Sequence, residues 1–236
     1  MHTKIMSQDA ALPTPERSPP PARPGRREQS KLDKRRRIMD AAKAVFVEHG
    51  YEAATTREIA TRAEVSIGTV FVYAKDKRDL LLSIVNDELD AITAEGRAVL
   101  ESPGPLLERL GALFELRYRY WASEPRLSRP AVRETFDFLG REGGEQGEET
   151  RRFYARRAVI HEQLVALVRD AQRQGEVDPG VPPERAASLF LGIYLIEVRR
   201  WLQDERPQAG EGLARLHELL ELCMRGLLNR PPPRAR

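Results

Sequence analysis

RRRIMDAAKAVFVEHGYEAATTREIATRAEVSIGTVFVYAKDKRDLLLSIV, residues 35–85, decides the fold. Ile38, Ala42, Val45 and Phe46 recur at i, i+4, i+7 and i+8, which stacks them on one face of a helix over about 32–49. Gly50 stands where a left-handed C-terminal cap belongs. Thr55-Thr56-Arg57-Glu58 has the spacing of a capping box: the Thr55 hydroxyl can accept from the Glu58 amide while the Glu58 carboxylate reaches back. A second, short helix is therefore expected to about Ala63, with Ile59, Ala60 and Ala63 inward. Ser66, another good N-cap, restarts a third helix over Ile67 to Tyr73. Asp76 caps a fourth, along which Leu80, Leu81, Ile84, Val85, Leu89 and Ile92 form an apolar stripe. Two short helices sharing a tight turn make a helix-turn-helix, whose second helix can enter the major groove of DNA.

Working outward, the rest of the chain reads as helices with no convincing strand. Leu106, Leu110, Leu113, Phe114 and Tyr118 outline a helix to about Ser123, where Pro125 stops it. Another is expected near 127–139, then a polar Gly/Glu-rich loop from Gly140 to Glu149, then a long helix from about Thr150 to Gln174. Pro182-Pro183-Glu184 opens a helix whose apolar residues cover more than one face, and Leu213 to Leu228 forms a last, Leu-rich one. A helix apolar on two faces has one to pack inward and one to offer a partner. The fold class is all-α.

Composition bounds what such a chain can do. With 236 residues, 41% of them apolar, it can build a real core. The lone Cys223 excludes an intramolecular disulfide and a multi-thiolate zinc site, and the N-terminal stretch lacks a secretory apolar region. The longest apolar run, Leu189 to Val198, is interrupted by Glu197 and falls short of a bilayer span. A cytoplasmic protein without membrane contact is expected. Residues 1–37 hold ten Lys/Arg against four Asp/Glu, so the basic excess lies in one Pro-rich tail, and the remainder of this +3 chain is net acidic. Residues 1–30 are expected to be disordered, with Arg23 to Arg37 serving as an arm that finds phosphate. His2, His49, His161 and His217 form no i, i+4 pair, and Gly143-Gly144 lacks the following GK[ST] of a phosphate loop. No catalytic residue, metal site or cofactor is expected, and the chain does not read as an enzyme.

Residues 35–85 resemble the N-terminal domain of TetR-family transcriptional repressors: a basic lead that includes Arg35 and Arg36, an F-x-x-x-G-Y close to the first helix, T-x-x-x-I-A in the second, V-S-x-G-T at the third and K-x-x-L-L at the fourth. The resemblance implies a three-helix, homeodomain-like DNA-binding domain at 31–77, a helical effector-binding and dimerisation domain at 78–230, and a short C-terminal tail at 231–236. It also implies a homodimer on a palindromic operator, associating through helices at about 184–202 and 212–228 and released by a small-molecule effector. Thr55, Thr56, Arg57, Ser66, Ile67, Gly68, Thr69, Phe71, Val72, Tyr73 and Lys77 become the DNA-contacting set. Of these, Thr55 and Thr56 have donors suited to a phosphate, Gly68 permits close backbone approach, and Lys77 matches the family's phosphate-contacting lysine.

Three positions depart from the family pattern. Glu64 stands where glycine is frequent, so a left-handed backbone there carries strain; Phe71 replaces a frequent tyrosine and Ala74 a frequent phenylalanine. The apolar trio Ile67, Phe71 and Val72 points to reading of thymine methyls, unless Phe71 and Val72 pack against the first and fourth helices. For an effector, Phe114, Arg117, Tyr118, Trp121, Phe136, Phe153 and His161 are the candidate contacts. Two other readings stand beside the ligand-released repressor: a ligand-independent DNA-binding dimer, and a helical interaction protein with a basic arm.

Overall fold

A computed structural model describes residues 25–134 and 146–226. These residues form nine helices: α1 (Arg26–His49), α2 (Thr56–Arg62), α3 (Ile67–Tyr73), α4 (Lys77–Glu101), α5 (Leu106–Ser123), α6 (Pro125–Glu134), α7 (Glu148–Arg173), α8 (Pro183–Trp201) and α9 (Ala209–Met224). No strand occurs among the described residues. The first three helices and the start of α4 close over Ile38, Phe46, Ile59, Val70 and Leu81, all of them fully buried. The other helices pack chiefly as α4 on α7, α7 on α8 and α5 on α9, so α4 belongs to both halves of the molecule.

Local signals set the boundaries in the N-terminal half. Thr55 Oγ1 accepts from the Glu58 amide at 3.2 Å, Ser66 Oγ from the Thr69 amide at 3.2 Å, and Asp76 Oδ1 from the Asp79 amide at 2.8 Å. Each supplies one acceptor to the orphan donors of a helix start. The capping box at α2 is only half formed, because the Glu58 carboxylate lies 2.7 Å from Nδ1 of His49 on the last turn of α1. Gly50 closes α1 at a positive φ of 82°, with a ψ of 155° that is outside the left-handed helical region.

Several boundaries differ from the sequence reading. α1 begins at Arg26 rather than near 32, so residues 26–30, expected in the tail, are helical. α6 starts on Pro125 itself, since proline is well tolerated in a first helical turn, where its missing N–H costs nothing. Glu148 and Glu149 form the first turn of α7 rather than the end of a loop, which places two carboxylates where the helix dipole favours them. Residues 135–145, and with them the rest of the expected 127–139 helix, lie outside the described residues, as do residues 1–24 and 227–236.

Candidate functional site

The outer face of α3 is apolar and open. Val70 is fully buried and anchors the helix, while Ile67, Phe71 and Val72 are 42, 49 and 74% exposed. Phe71 and Val72 thus do not pack into the core as the alternative reading required. Gly68 lies on the same open side: a Cβ built there meets nothing closer than Ser66 Oγ at 3.9 Å. Thr55, Arg57 and Ser66 are exposed beside it, and Thr56, Thr69 and Tyr73 are half-buried. The Thr69 hydroxyl pairs with Ser66 Oγ at 2.8 Å.

The turn between α2 and α3 explains how this face is presented. The Val65 amide donates to the Ala60 carbonyl at 3.0 Å and the Glu64 amide to the Thr61 carbonyl at 3.1 Å, the two bonds of a Schellman motif. Glu64 takes the left-handed position, with φ 53°, so the strain expected of a non-glycine residue there is present.

Basic groups line one edge. The Tyr73 hydroxyl donates to the Lys31 carbonyl at 3.2 Å, which docks the early turns of α1 against the end of α3. Arg26, Arg27, Lys31 and Lys34 share a surface hollow with Val72 and Tyr73. Other cations of the expected set are engaged within the protein. Arg35 turns toward α4 and α7, reaching Ser83 Oγ at 3.1 Å, Asp87 at 3.4 Å and Glu149 at 3.5 Å. Arg36 pairs with Asp33 at 3.1 Å on the surface. The Lys77 ammonium donates to the Glu52 and Ala54 carbonyls at 3.0 and 3.2 Å and sits 4.7 Å from the Tyr51 ring centroid. Its geometry is that of a brace on the α1–α2 loop.

A second concavity lies in the other half. An inner chamber of about 50 Å³ is walled by Leu89 of α4, Arg117 and Trp121 of α5, Phe153 and Ile160 of α7, and Leu191, Tyr194 and Val198 of α8. It adjoins an open groove of about 790 Å³ between α7 and α8, and the two share Tyr154, Arg157, Leu191 and Leu195. Arg117, Trp121 and Phe153 of the expected effector set line the chamber, while His161 lines the groove, with Nε2 3.0 Å from Ser188 Oγ. Phe114 and Tyr118 do not reach either space. Phe114 is fully buried and stacked on Tyr194 at 4.6 Å, and Tyr118 packs against Trp201 at 4.8 Å; both are core, as large aromatics at helical spacing usually are. Phe136 lies outside the described residues.

Sequence reasoning missed Tyr194, whose hydroxyl accepts from Trp121 Nε1 at 2.8 Å and so keeps its own proton to donate. It also missed how Arg117 is placed. This guanidinium is 3% exposed, and among the described residues it is held by one hydrogen bond, from Nη2 to Thr93 Oγ1 at 3.1 Å. Among the described residues its Nε has no partner, and no carboxylate lies within ion-pair distance of it. Burial pushes its pKa below the ordinary arginine value, as it must for a cation removed from water.

A three-helix unit with an exposed second short helix, basic side chains along one edge and a helical body behind it has the architecture of a helix-turn-helix DNA-binding domain joined to a larger helical unit. Residues 38–84 match the family model described as bacterial regulatory proteins, tetR family. The HTH-type transcriptional repressor KstR of Mycolicibacterium smegmatis is 30% identical over 44% of this chain and 52% of its own length, so the chain spans about half of that relative. The HTH-type transcriptional activator FasR of the same organism is 28% identical over 74% of this chain and 75% of its own. Among solved structures, Thermus thermophilus FadR, a TetR-family transcriptional repressor in complex with lauroyl-CoA, superposes with a TM-score of 0.63 at 27% identity, covering 86% of this chain and 99% of that one. Residues 38–84 thus form a tetR-family helix-turn-helix domain, and the chain as a whole is similar to transcriptional regulators of that family. No helix among the described residues is long and apolar enough to cross a membrane.

Proposed function

We propose that the protein is a homodimeric repressor that holds a palindromic operator with two α3 helices and lets go when a small molecule enters the chamber. The observation that carries this reading is the exposed apolar face of α3, which has no role in the core and lies on a helix, the element a major groove admits. In this reading the DNA-binding unit runs from α1 through the first turn of α4, and the remaining helices form the effector and dimer unit. Leu189 and Ile196 on α8 and Leu222 on α9 are 49, 55 and 60% exposed, which supports a four-helix interface between two copies. The lauroyl-CoA held by the Thermus relative supports an effector with a large apolar part. The chamber is walled by α4, α5, α7 and α8, so a ligand that favours one packing of these helices also biases α4 and the spacing of the two α3 helices; a difference of a few kcal/mol between the two packings suffices.

Selection of bound sequences from random duplex DNA by the purified protein tests the DNA half of this reading. Two inverted half-sites with centres about one helical turn (roughly 34 Å) apart are expected. An asymmetric motif, or no enrichment above competitor DNA, rejects it. For the effector half, a ligand that occupies the chamber and leaves operator affinity unchanged is the rejecting result.

A further inference from the structure

Among the described residues three arginines are nine-tenths or more buried, and two have counter-ions. Arg109 meets Asp170 at 2.5 Å, and Arg156 is held by Asp90 together with Asn86, whose Oδ1 it reaches at 2.9 Å. Arg117 is the exception, and it lines the chamber beside Arg156, whose charge is already met by Asp90. Its neighbours do not neutralise it: Thr93 offers one hydroxyl oxygen, Tyr194 a neutral phenol, and the charged side chain that acts on it, Arg156, is of the same sign. A guanidinium in this state carries unused donors in a planar fork that matches a carboxylate.

We propose that Arg117 anchors the carboxylate of an organic acid that enters head first, with its apolar body along the groove between α7 and α8. The inference deepens the effector reading and rests on it for the link to DNA, though not for binding itself. Size supports the direction of entry. About 50 Å³ of chamber accepts a carboxylate and a few carbons, whereas the open groove, at about 790 Å³, takes a chain or ring. The walls are apolar apart from the arginines, the Tyr154 hydroxyl, which turns to Glu134, and the Tyr194 hydroxyl, whose free proton supplies a second donor. A thioester presents no charge at its carbonyl, and an acyl chain entering tail first would leave the buried guanidinium unpaired, so the chemistry of the chamber favours a free acid over its coenzyme A ester.

Matched ligands with one body and three heads test this. Octanoate, octanamide and octanoyl-CoA, together with 4-phenylbutyrate and its amide, are titrated calorimetrically into the full-length protein and into R117M. At least one acid is expected to bind tenfold or more tightly than its own amide, and R117M is expected to erase that difference. Before any ligand is added, R117M is expected to melt at or above the wild-type temperature, because the substitution removes a buried charge that has no partner. Amides that bind as well as acids, binding by octanoyl-CoA alone, or binding by no member of the set would each overturn the proposal. So would R117M melting well below wild type, which would make the guanidinium a structural strut. A parallel titration against the DNA complex separates the two readings. Acids that bind through Arg117 yet leave operator affinity unchanged reject effector release and keep the anchor; release by octanoyl-CoA alone keeps effector control and rejects the anchor.

Discussion

Asp79, on the first turn of α4, caps α7 across 71 residues of chain: one carboxylate oxygen accepts both the Thr150 amide at 2.9 Å and the Thr150 hydroxyl at 3.0 Å. The other accepts the Lys75 amide at 3.2 Å, and the side chain is 3% exposed. The fit leaves no slack, since a Cβ on Gly147 would stand 2.2 Å from the same oxygen. The helix that begins beside the DNA-binding unit is thereby fixed to the start of one that walls the chamber. Farther along, Arg156 and Asn86 join the same two helices, with Asn86 Nδ2 donating to the Glu149 carbonyl at 2.8 Å.

D79A strands buried donors on two segments and is expected to cost about 2–3 kcal/mol in denaturant unfolding. T150V removes one hydroxyl bond and leaves the amide cap, for a loss of about 1 kcal/mol. The double variant should lose less than the sum, because the shared bond can be lost only once. Strict additivity would show that the contact does not join the two helices energetically.

At Gly68 stability and function are expected to move in opposite directions. Nothing among the described residues crowds its missing Cβ, and glycine weakens a helix. G68A should therefore raise stability by about 0.5–1 kcal/mol. The added methyl would occupy the space between α3 and DNA, and operator affinity measured by fluorescence anisotropy should fall about tenfold. Unchanged affinity would mean that the backbone at Gly68 does not approach the duplex.

Much of the DNA-binding half was legible because its signals are local. The caps at Thr55, Ser66 and Asp76 each lie three residues from the amide they accept, so spacing alone finds them. The true start of α1 was not legible: its composition resembles the tail before it, and the docking bond from Tyr73 to Lys31 spans 42 residues. The same limit applied to the cations. A basic residue next to the motif reads as a phosphate contact, yet Arg35 is drawn to Asp87 and Glu149, which only the packing of α4 and α7 brings near. Arg117 was readable as a polar residue among aromatics. That no carboxylate among the described residues meets it is a property of the packed helices rather than of any spacing.

Glu64 offers a stabilising change. Its φ of 53° costs a side-chain-bearing residue about 1 kcal/mol, and the ion pair it makes with Arg37, 3.9 Å apart and exposed, returns little. E64G is expected to raise stability by about 0.5–1 kcal/mol in thermal or urea unfolding, with operator affinity preserved. A loss of stability would show that the turn relaxes away from the Schellman geometry in solution.

The docked start of α1 makes a salt-dependence prediction. If Arg26, Arg27, Lys31 and Lys34 neutralise phosphates, changing them to glutamine should flatten the plot of log affinity against log salt by about 0.9 for each phosphate left without its cation. Preference for operator over random duplex should stay nearly constant, because phosphate contacts carry no direct sequence information. An unchanged slope would place this basic edge away from the DNA.

Phe71 and Val72 have more apolar surface exposed than a seven-residue helix needs for its own stability, and the thymine methyl is the apolar group that the major groove offers. Each methyl covered should contribute roughly 0.8 kcal/mol, the worth of one buried carbon group, or about fourfold in affinity. Replacing thymines of the selected operator by uracil, one position at a time, should weaken binding by about that factor at the contacted positions and nowhere else. In F71A the penalty should vanish at the positions that Phe71 covers and persist at those under Val72. That pattern separates methyl recognition from a change in duplex stiffness, which would act on wild type and F71A alike; equal affinity for the thymine and uracil operators would leave the exposed face of α3 to contact sugars and phosphates instead.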